Sequence, residues 1–260
     1  MARIVAVANQ KGGVGKTTTA VNLAASIAAA ERRVLLVDLD PQANATSGLG
    51  VEPQPLDQCI YGALLGETPM TELRRKTEIA TLDVVPSGPD LYGADVELFS
   101  REDRFVLLKT ALTQVDDAYD TILIDCPPSL GILTLNALCA ARSVLIPMQC
   151  EYYALEGLSQ LVRTIEMVRA GPNPNLEIEG VLLTMFDMRN NLARQVAADV
   201  RTNFDGKVFK AMIPRNVRLS EAPSFGKPIL LYDIASRGCQ SYIELAREFL
   251  DHPPTHPALE

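Results

Sequence analysis

Seven short runs of aliphatic and β-branched residues punctuate the chain, at residues 3–9, 34–38, 81–86, 121–125, 143–148, 178–185 and 207–213. None alternates strictly between apolar and polar positions, so each reads as a strand buried on both faces. Between them lie stretches with apolar residues at helical spacing, at 16–30, 101–117, 155–170, 192–204 and 235–250. Strands alternating with helices predict a single α/β domain over 1–250, with a mostly parallel twisted sheet covered by helices on both faces. Residues 52–80 are irregular and predict short helices on the rim. The Pro-rich end, 251–260, predicts a frayed tail.

The first strand runs directly into Asn9-Gln10-Lys11-Gly12-Gly13-Val14-Gly15-Lys16-Thr17-Thr18, and a helix opens at Lys16. That context suits a phosphate-binding loop. The glycines let successive amides converge on phosphate oxygens, and the helix adds its positive dipole end. Lys16 would reach the β- and γ-phosphates, and the Thr17 hydroxyl would bind Mg²⁺. Backbone from Lys11 to Thr18 would wrap the phosphates. The loop departs from GxxxxGK[ST]: Gln10 replaces the first glycine and a second lysine, Lys11, follows it.

Two strands end in acid. Val34-Leu35-Leu36-Val37-Asp38-Leu39-Asp40 carries carboxylates at i and i+2, on one side where the strand runs on. Ligands bind at that end of an open α/β sheet. Asp38 could support Mg²⁺ through water, and Asp40 could orient or deprotonate an attacking water. Ile122-Leu123-Ile124-Asp125 is a Walker B pattern, with Asp125 on Mg²⁺ directly or through water.

Composition narrows the chemistry. Of 260 residues 47% are apolar and 22% charged, an ordinary globular balance. The two histidines, His252 and His256, both lie in the tail, so catalysis falls to carboxylates, lysines and Mg²⁺. That fits phosphoryl transfer to water rather than a Ser/His or Cys/His hydrolase. Five scattered cysteines without a CxxC pair read as reduced thiols in a cytoplasmic protein. No apolar run approaches the ~20 residues of a membrane span. The net charge of −8 argues against nucleic acid in bulk. Between Gly180 and Leu230, however, eight basic residues face four acidic ones, +4 there against −12 elsewhere. A local field of that kind can hold a polyanion. Arg189, Arg218 and Lys227 lead the candidates for a sequence-independent DNA surface, followed by Arg201 and Arg215.

The phosphate loop with its extra lysine, the acidic strand ends and Pro214-Arg215-Asn216 together resemble the deviant Walker A ATPases. Within them the chain is similar to the chromosome- and plasmid-partition ATPases of the ParA/Soj type, from Ala2 to about Leu250. The resemblance implies a P-loop NTPase fold, ATP and Mg²⁺ as cofactors, and an ATP-dependent homodimer. Lys11 would cross the dimer interface to the partner's nucleotide, and Gly12 would sit at the contact. Asp40 would lie in switch I and be needed for hydrolysis. Pro214 and Asn216 would contact adenine, while Met185, at a neighbouring strand end, could pack on the ring. The family also implies non-specific binding of double-stranded DNA, a ParB-like centromere-binding partner that stimulates slow hydrolysis, and association with the nucleoid. Its rivals are a MinD-like ATPase cycling on membranes, which needs a basic amphipathic C-terminal helix, and a nucleotide-dependent filament. The end of this chain, Ile243-Glu244-Leu245-Ala246-Arg247-Glu248, is acidic on balance.

Overall fold

The computed structural model describes residues 1–251 apart from 153 and 205, with only the backbone at Asp95. The expected tail lies outside the described residues except for Asp251, which closes the last helix. Seven strands form one sheet: β1 (Arg3–Val7), β2 (Val34–Asp38), β3 (Arg75–Lys76), β4 (Leu82–Val85), β5 (Thr121–Asp125), β6 (Ser143–Gln149) and β7 (Glu177–Thr184). Their order is β3-β4-β2-β5-β1-β6-β7, parallel throughout except for the short edge strand β3. Among the described residues twelve α-helices lie between and after the strands: α1 (Lys16–Ala29), α2 (Asn44–Gly48), α3 (Ile60–Leu65), α4 (Met70–Leu73), α5 (Ala94–Glu97), α6 (Leu107–Leu112), α7 (Ile132–Ala140), α8 (Ala154–Arg169), α9 (Asn191–Asn203), α10 (Val217–Glu221), α11 (Ile229–Tyr232) and α12 (Arg237–Asp251).

Strand period 2 divides the core into two layers. Val5, Val7, Leu36, Leu123 and Leu145 face α1 and α12, where Leu23, Ile27, Tyr242 and Phe249 close the packing. Ala6, Leu35, Val37, Ile122 and Ile146 face the opposite layer, with Leu108, Leu138 and Leu161 of α6, α7 and α8. All five residues of β2 and of β5 are buried, the apolar runs Val34–Val37 and Ile122–Ile124 as their pattern predicts and the terminal Asp38 and Asp125 with them. The alanines at 20, 24, 25 and 28 let α1 lie close on the sheet.

Two predicted elements differ. Residues 207–213 form no strand; they follow β7 through a bridge between Val208 and Val181 and an Ile213 amide that donates to the Leu183 carbonyl at 2.9 Å. The amides of Lys210 and Ala211 instead donate to the Glu248 carboxylate of α12, at 2.8 and 3.0 Å, which interrupts the ladder. The 101–117 helix shrinks to α6. Asn136 of α7 captures its start, accepting from the Leu108 amide at 3.2 Å and donating to the Arg104 carbonyl at 2.6 Å. The rim segment 52–80 forms short helices as expected, plus β3, which its polar sequence did not signal.

Candidate nucleotide site

β1 delivers the chain to the phosphate loop, and buried side chains hold the loop in place. Asn9 donates to the Pro147 carbonyl at 2.7 Å and accepts from the Lys11 amide at 2.9 Å. The Thr184 hydroxyl at the end of β7 donates to the Val14 carbonyl at 2.8 Å, and Gln149 of β6 donates to the Gly13 carbonyl at 3.2 Å. Gly13 and Gly15 adopt φ of +72° and +86°, a left-handed backbone that glycine takes without penalty. Gly12 differs from both. A Cβ there would meet nothing closer than the Pro128 Cβ at 4.0 Å, so its own subunit does not require a glycine.

The two loop lysines diverge. Lys16 is buried, and its ammonium donates to the Lys11 carbonyl at 3.2 Å across the loop. Burial lowers its pKa, while Asp125, Cys126 and Asp40 oppose that shift, which places all three around the ammonium. Lys11 instead points outward to Glu151 at 2.6 Å, with both side chains 40–48% exposed. No sequence signal marked Glu151.

Strand register sets Asp38 and Asp125 side by side on β2 and β5. Their surroundings separate their roles. One Asp38 oxygen accepts from the Asp40 amide at 3.1 Å; the other accepts from the Thr46 amide and hydroxyl at 2.8 and 2.7 Å. Asp38 thereby pins the segment 40–46, and burial pushes its pKa up to about 6. Asp125 is fully buried and neither of its oxygens has a hydrogen-bond partner. Burial and the neighbouring Asp38 raise its pKa well above the usual carboxylate range, with Thr17 and Lys16 pulling it back. A buried orphan carboxylate beside the Thr17 hydroxyl and the phosphate loop is a fit for a hard divalent cation such as Mg²⁺. Asp40, 6% exposed, accepts from the Gln42 amide at 3.0 Å and reaches Lys16 electrostatically. Thr46 and Ser87 escaped sequence reasoning; common hydroxyl residues in loops carry no pattern.

The orphan carboxylate has a measurable consequence. A folded-state pKa above the unfolded value of ~4 contributes stability below that value and loses it as pH rises through the raised pKa. Without Mg²⁺ and nucleotide, Asp125→Asn should therefore raise Tm near neutral pH. About 2 kcal/mol of relief corresponds to roughly 4–8 °C. Calorimetry should show the gain growing from pH 4 upward; equal Tm for both proteins at every pH would contradict the orphan charge.

Met185 and Pro214 come together at the end of β7, where the Phe186 amide donates to the Ile213 carbonyl at 3.0 Å. Met185 holds a left-handed φ of +49°, which is uncommon for a residue with a side chain. The side-chain oxygen of Asn216 caps α10 by accepting from the Leu219 amide at 3.3 Å, so its amide protons remain for a base. A cavity of about 450 Å³ adjoins Thr17, Thr18, Asn22, Asn44, Ser224 and Lys227.

The basic candidates do not all share a surface. Arg189 bonds Asp187 at 2.8 Å, and with Arg215 close by the Asp187 carboxyl falls to about 2. Exposed Arg201 rests near the Met212 sulfur at 3.6 Å. Arg218 is paired with Glu221 at 2.9 Å and Asp233 at 3.4 Å. Lys227 stands apart, bonded at 3.3 Å to Glu78 in the connection from the edge strand β3 to β4, whereas Arg189 follows β7 on the other edge. All five cysteines are free and buried.

A family model described as an AAA domain matches residues 2–178. The chain is 61% identical over 248 residues to the chromosome partitioning protein ParA of Myxococcus xanthus, covering 95% of this chain and 88% of that protein. It is 56% identical to the sporulation initiation inhibitor protein Soj of Bacillus subtilis, covering 95% and 98%. Among solved structures, it resembles a plasmid partition protein of Borrelia burgdorferi bound to AMPPNP, with a TM-score of 0.83, 25% identity, and coverage of 96% and 99%. It also resembles a protein of Mycobacterium smegmatis called cobyrinic acid a,c-diamide synthase, solved with ADP and magnesium, at a TM-score of 0.84, 39% identity, and coverage of 99% and 100%. That name points to other chemistry, but the ParA and Soj proteins share far more sequence, 61% and 56% against 39%. With the phosphate loop, the extra lysine and the paired strand-end carboxylates in one site, the chain belongs to the ParA/Soj-type family of P-loop partitioning ATPases.

Proposed function

We propose that this chain is a slow Mg²⁺-dependent ATPase that closes into a homodimer around two ATP molecules, binds double-stranded DNA without sequence preference, and segregates replicated chromosomes or plasmids. The observation that carries the reading is the contrast inside the phosphate loop. Lys16 turns in towards the phosphates, Lys11 turns out, and Gly12 lacks a side chain for no reason within its own subunit. A second subunit laid on that face supplies the reason: Lys11 reaches across to the facing phosphates and Gly12 allows close approach. A cation there offsets charge that develops during phosphoryl transfer.

Roles follow from placement. Backbone from Lys11 to Thr18 wraps the phosphates, Lys16 bonds their oxygens, and Thr17 and Asp125 hold Mg²⁺ with Asp38 behind them. Asp40 positions the attacking water. With so few groups acting on water, the reaction is slow until a ParB-like centromere-binding protein stimulates it. Met185, Pro214 and Asn216 take the adenine. Arg189, Arg201, Arg215 and Arg218 contact DNA phosphates, with Lys227 the weakest candidate because of its position. Two copies double those contacts, so dimerisation switches DNA binding on. The protein then works in the cytoplasm on the nucleoid. A membrane-cycling reading finds no support in α12. That helix buries Cys239, Tyr242, Leu245 and Phe249 in the core beside α1. No helix among the described residues is long and apolar enough to cross a membrane.

Gly12→Val tests the reading. The variant should bind ATP as the parent does yet remain a single subunit, and its affinity for duplex DNA in ATP should drop about 10²-fold, to the level the parent shows in ADP. A titration at two salt concentrations reads this directly; DNA binding by the variant equal to the parent's would contradict the sandwich.

A further inference from the structure

The run from Pro89 through α5 forms continuous helical turns. Its inner face is ordinary: Leu91, Ala94 and Leu98 are fully buried. Its outer face is also apolar. Tyr92, Val96 and Phe99, at spacings of four and three, are 64%, 80% and 72% exposed. A helix apolar on both sides is a helix that something else covers. Charge specifies the cover. From Asp90 to Asp103 the sequence carries five acidic residues and one basic residue, Arg101, which is already bonded to Asp103 at 2.9 Å. Glu102 is exposed next to the stripe, and Asp90 and Glu97 are exposed while also accepting from the Leu56 amide at 3.0 Å and the Tyr61 hydroxyl at 2.6 Å. Arg104 approaches the Phe99 ring at 5.8 Å but sits closer to Phe105, at 4.8 Å. Nucleic acid and anionic lipid would be repelled here, and a second copy would set this acidic face against itself.

We infer that the Tyr92–Val96–Phe99 face docks a basic amphipathic segment of the stimulating partner, with apolar side chains over the stripe and Lys or Arg against Asp90, Glu97 and Glu102. The inference rests on the partition reading above. The face is wired to the site. Five residues before Tyr92, the Ser87 amide donates to the Thr46 hydroxyl at 2.9 Å, and that hydroxyl donates to Asp38 at 2.7 Å. Next to Ser87, Gly88 is pressed so closely on the Gln54 carbonyl that a Cβ would lie 1.9 Å from its oxygen. The docking face thus begins a few residues after the hydroxyl relay to the carboxylate that pins segment 40–46.

The test uses the full chain with ATP, Mg²⁺ and DNA, and the ParB-type protein encoded by the same genome as the probe. In Val96→Ser/Phe99→Ser, the partner concentration for half-maximal ATPase stimulation should rise about tenfold or more, as loss of a central apolar anchor predicts. The unstimulated rate, dimerisation and DNA binding should be unchanged. Glu102→Lys should lose stimulation in the same direction, most strongly at low salt. Stimulation of both variants at the parent's level would overturn the docking face while leaving the partition reading intact. A fall in the unstimulated rate would mark these side chains as structural and overturn it too. If the parent itself is not stimulated, the partition reading fails, and this occupant with it.

Discussion

Lys16→Ala should cripple ATP binding. Lys16 is the loop's inward cation, buried and donating only to the Lys11 carbonyl at 3.2 Å until phosphate oxygens replace it. Burial already disfavours its charge, and Asp125 and Asp40 sustain it, so the ammonium is preorganised for an anion at little further cost. Losing its charge-assisted bonds to two phosphates should cost about 3–4 kcal/mol, or 10²–10³ in Kd. A fluorescent ATP analogue titrated into parent and variant measures this, with circular dichroism confirming that the variant folds. Retention of the parent's affinity would refute the loop assignment.

Asp40→Ala should do the opposite to the cycle: ATP stays bound and hydrolysis stops. Asp40 is nearly buried, next to the pinned Asp38 and close to Lys16, with one oxygen engaged by the Gln42 amide. Loss of the group that positions or deprotonates water should slow turnover by about 10²–10⁴. The variant should accumulate as an ATP dimer with a prolonged lifetime on DNA. Asp40→Asn keeps an acceptor for Gln42 but loses the base, so it should fail in the same way if Asp40 acts on water. Phosphate release by either variant at the parent's rate would remove Asp40 from the mechanism.

Much of this site was legible because its signals are local. Gly13 and Gly15 announce a backbone that other residues avoid, and a strand ending in Asp38 or Asp125 announces the ligand end of a parallel sheet. What escaped was non-local. Thr46 and Ser87 matter because β2 and β4 are neighbours, and Glu151 because β6 ends beside the loop. The lost strand at 207–213 turned on Glu248, some forty residues further on, taking two amides from the ladder. The basic face was the least legible. A count of charges along the chain could not foresee that Arg189, Arg218 and Lys227 already hold carboxylate partners, or that Lys227 lies towards the opposite sheet edge. If Arg189 and Arg218 bind DNA as proposed, its phosphates compete with Asp187, Glu221 and Asp233, so binding should be salt-sensitive and dependent on two copies acting together.

Sedimentation velocity with Mg²⁺ and a non-hydrolysable ATP analogue, set against ADP, probes the central claim most directly. The expected result is a doubling of mass with the analogue alone, absent in Gly12→Val. A parent that sediments as one subunit with analogue demonstrably bound would contradict the account.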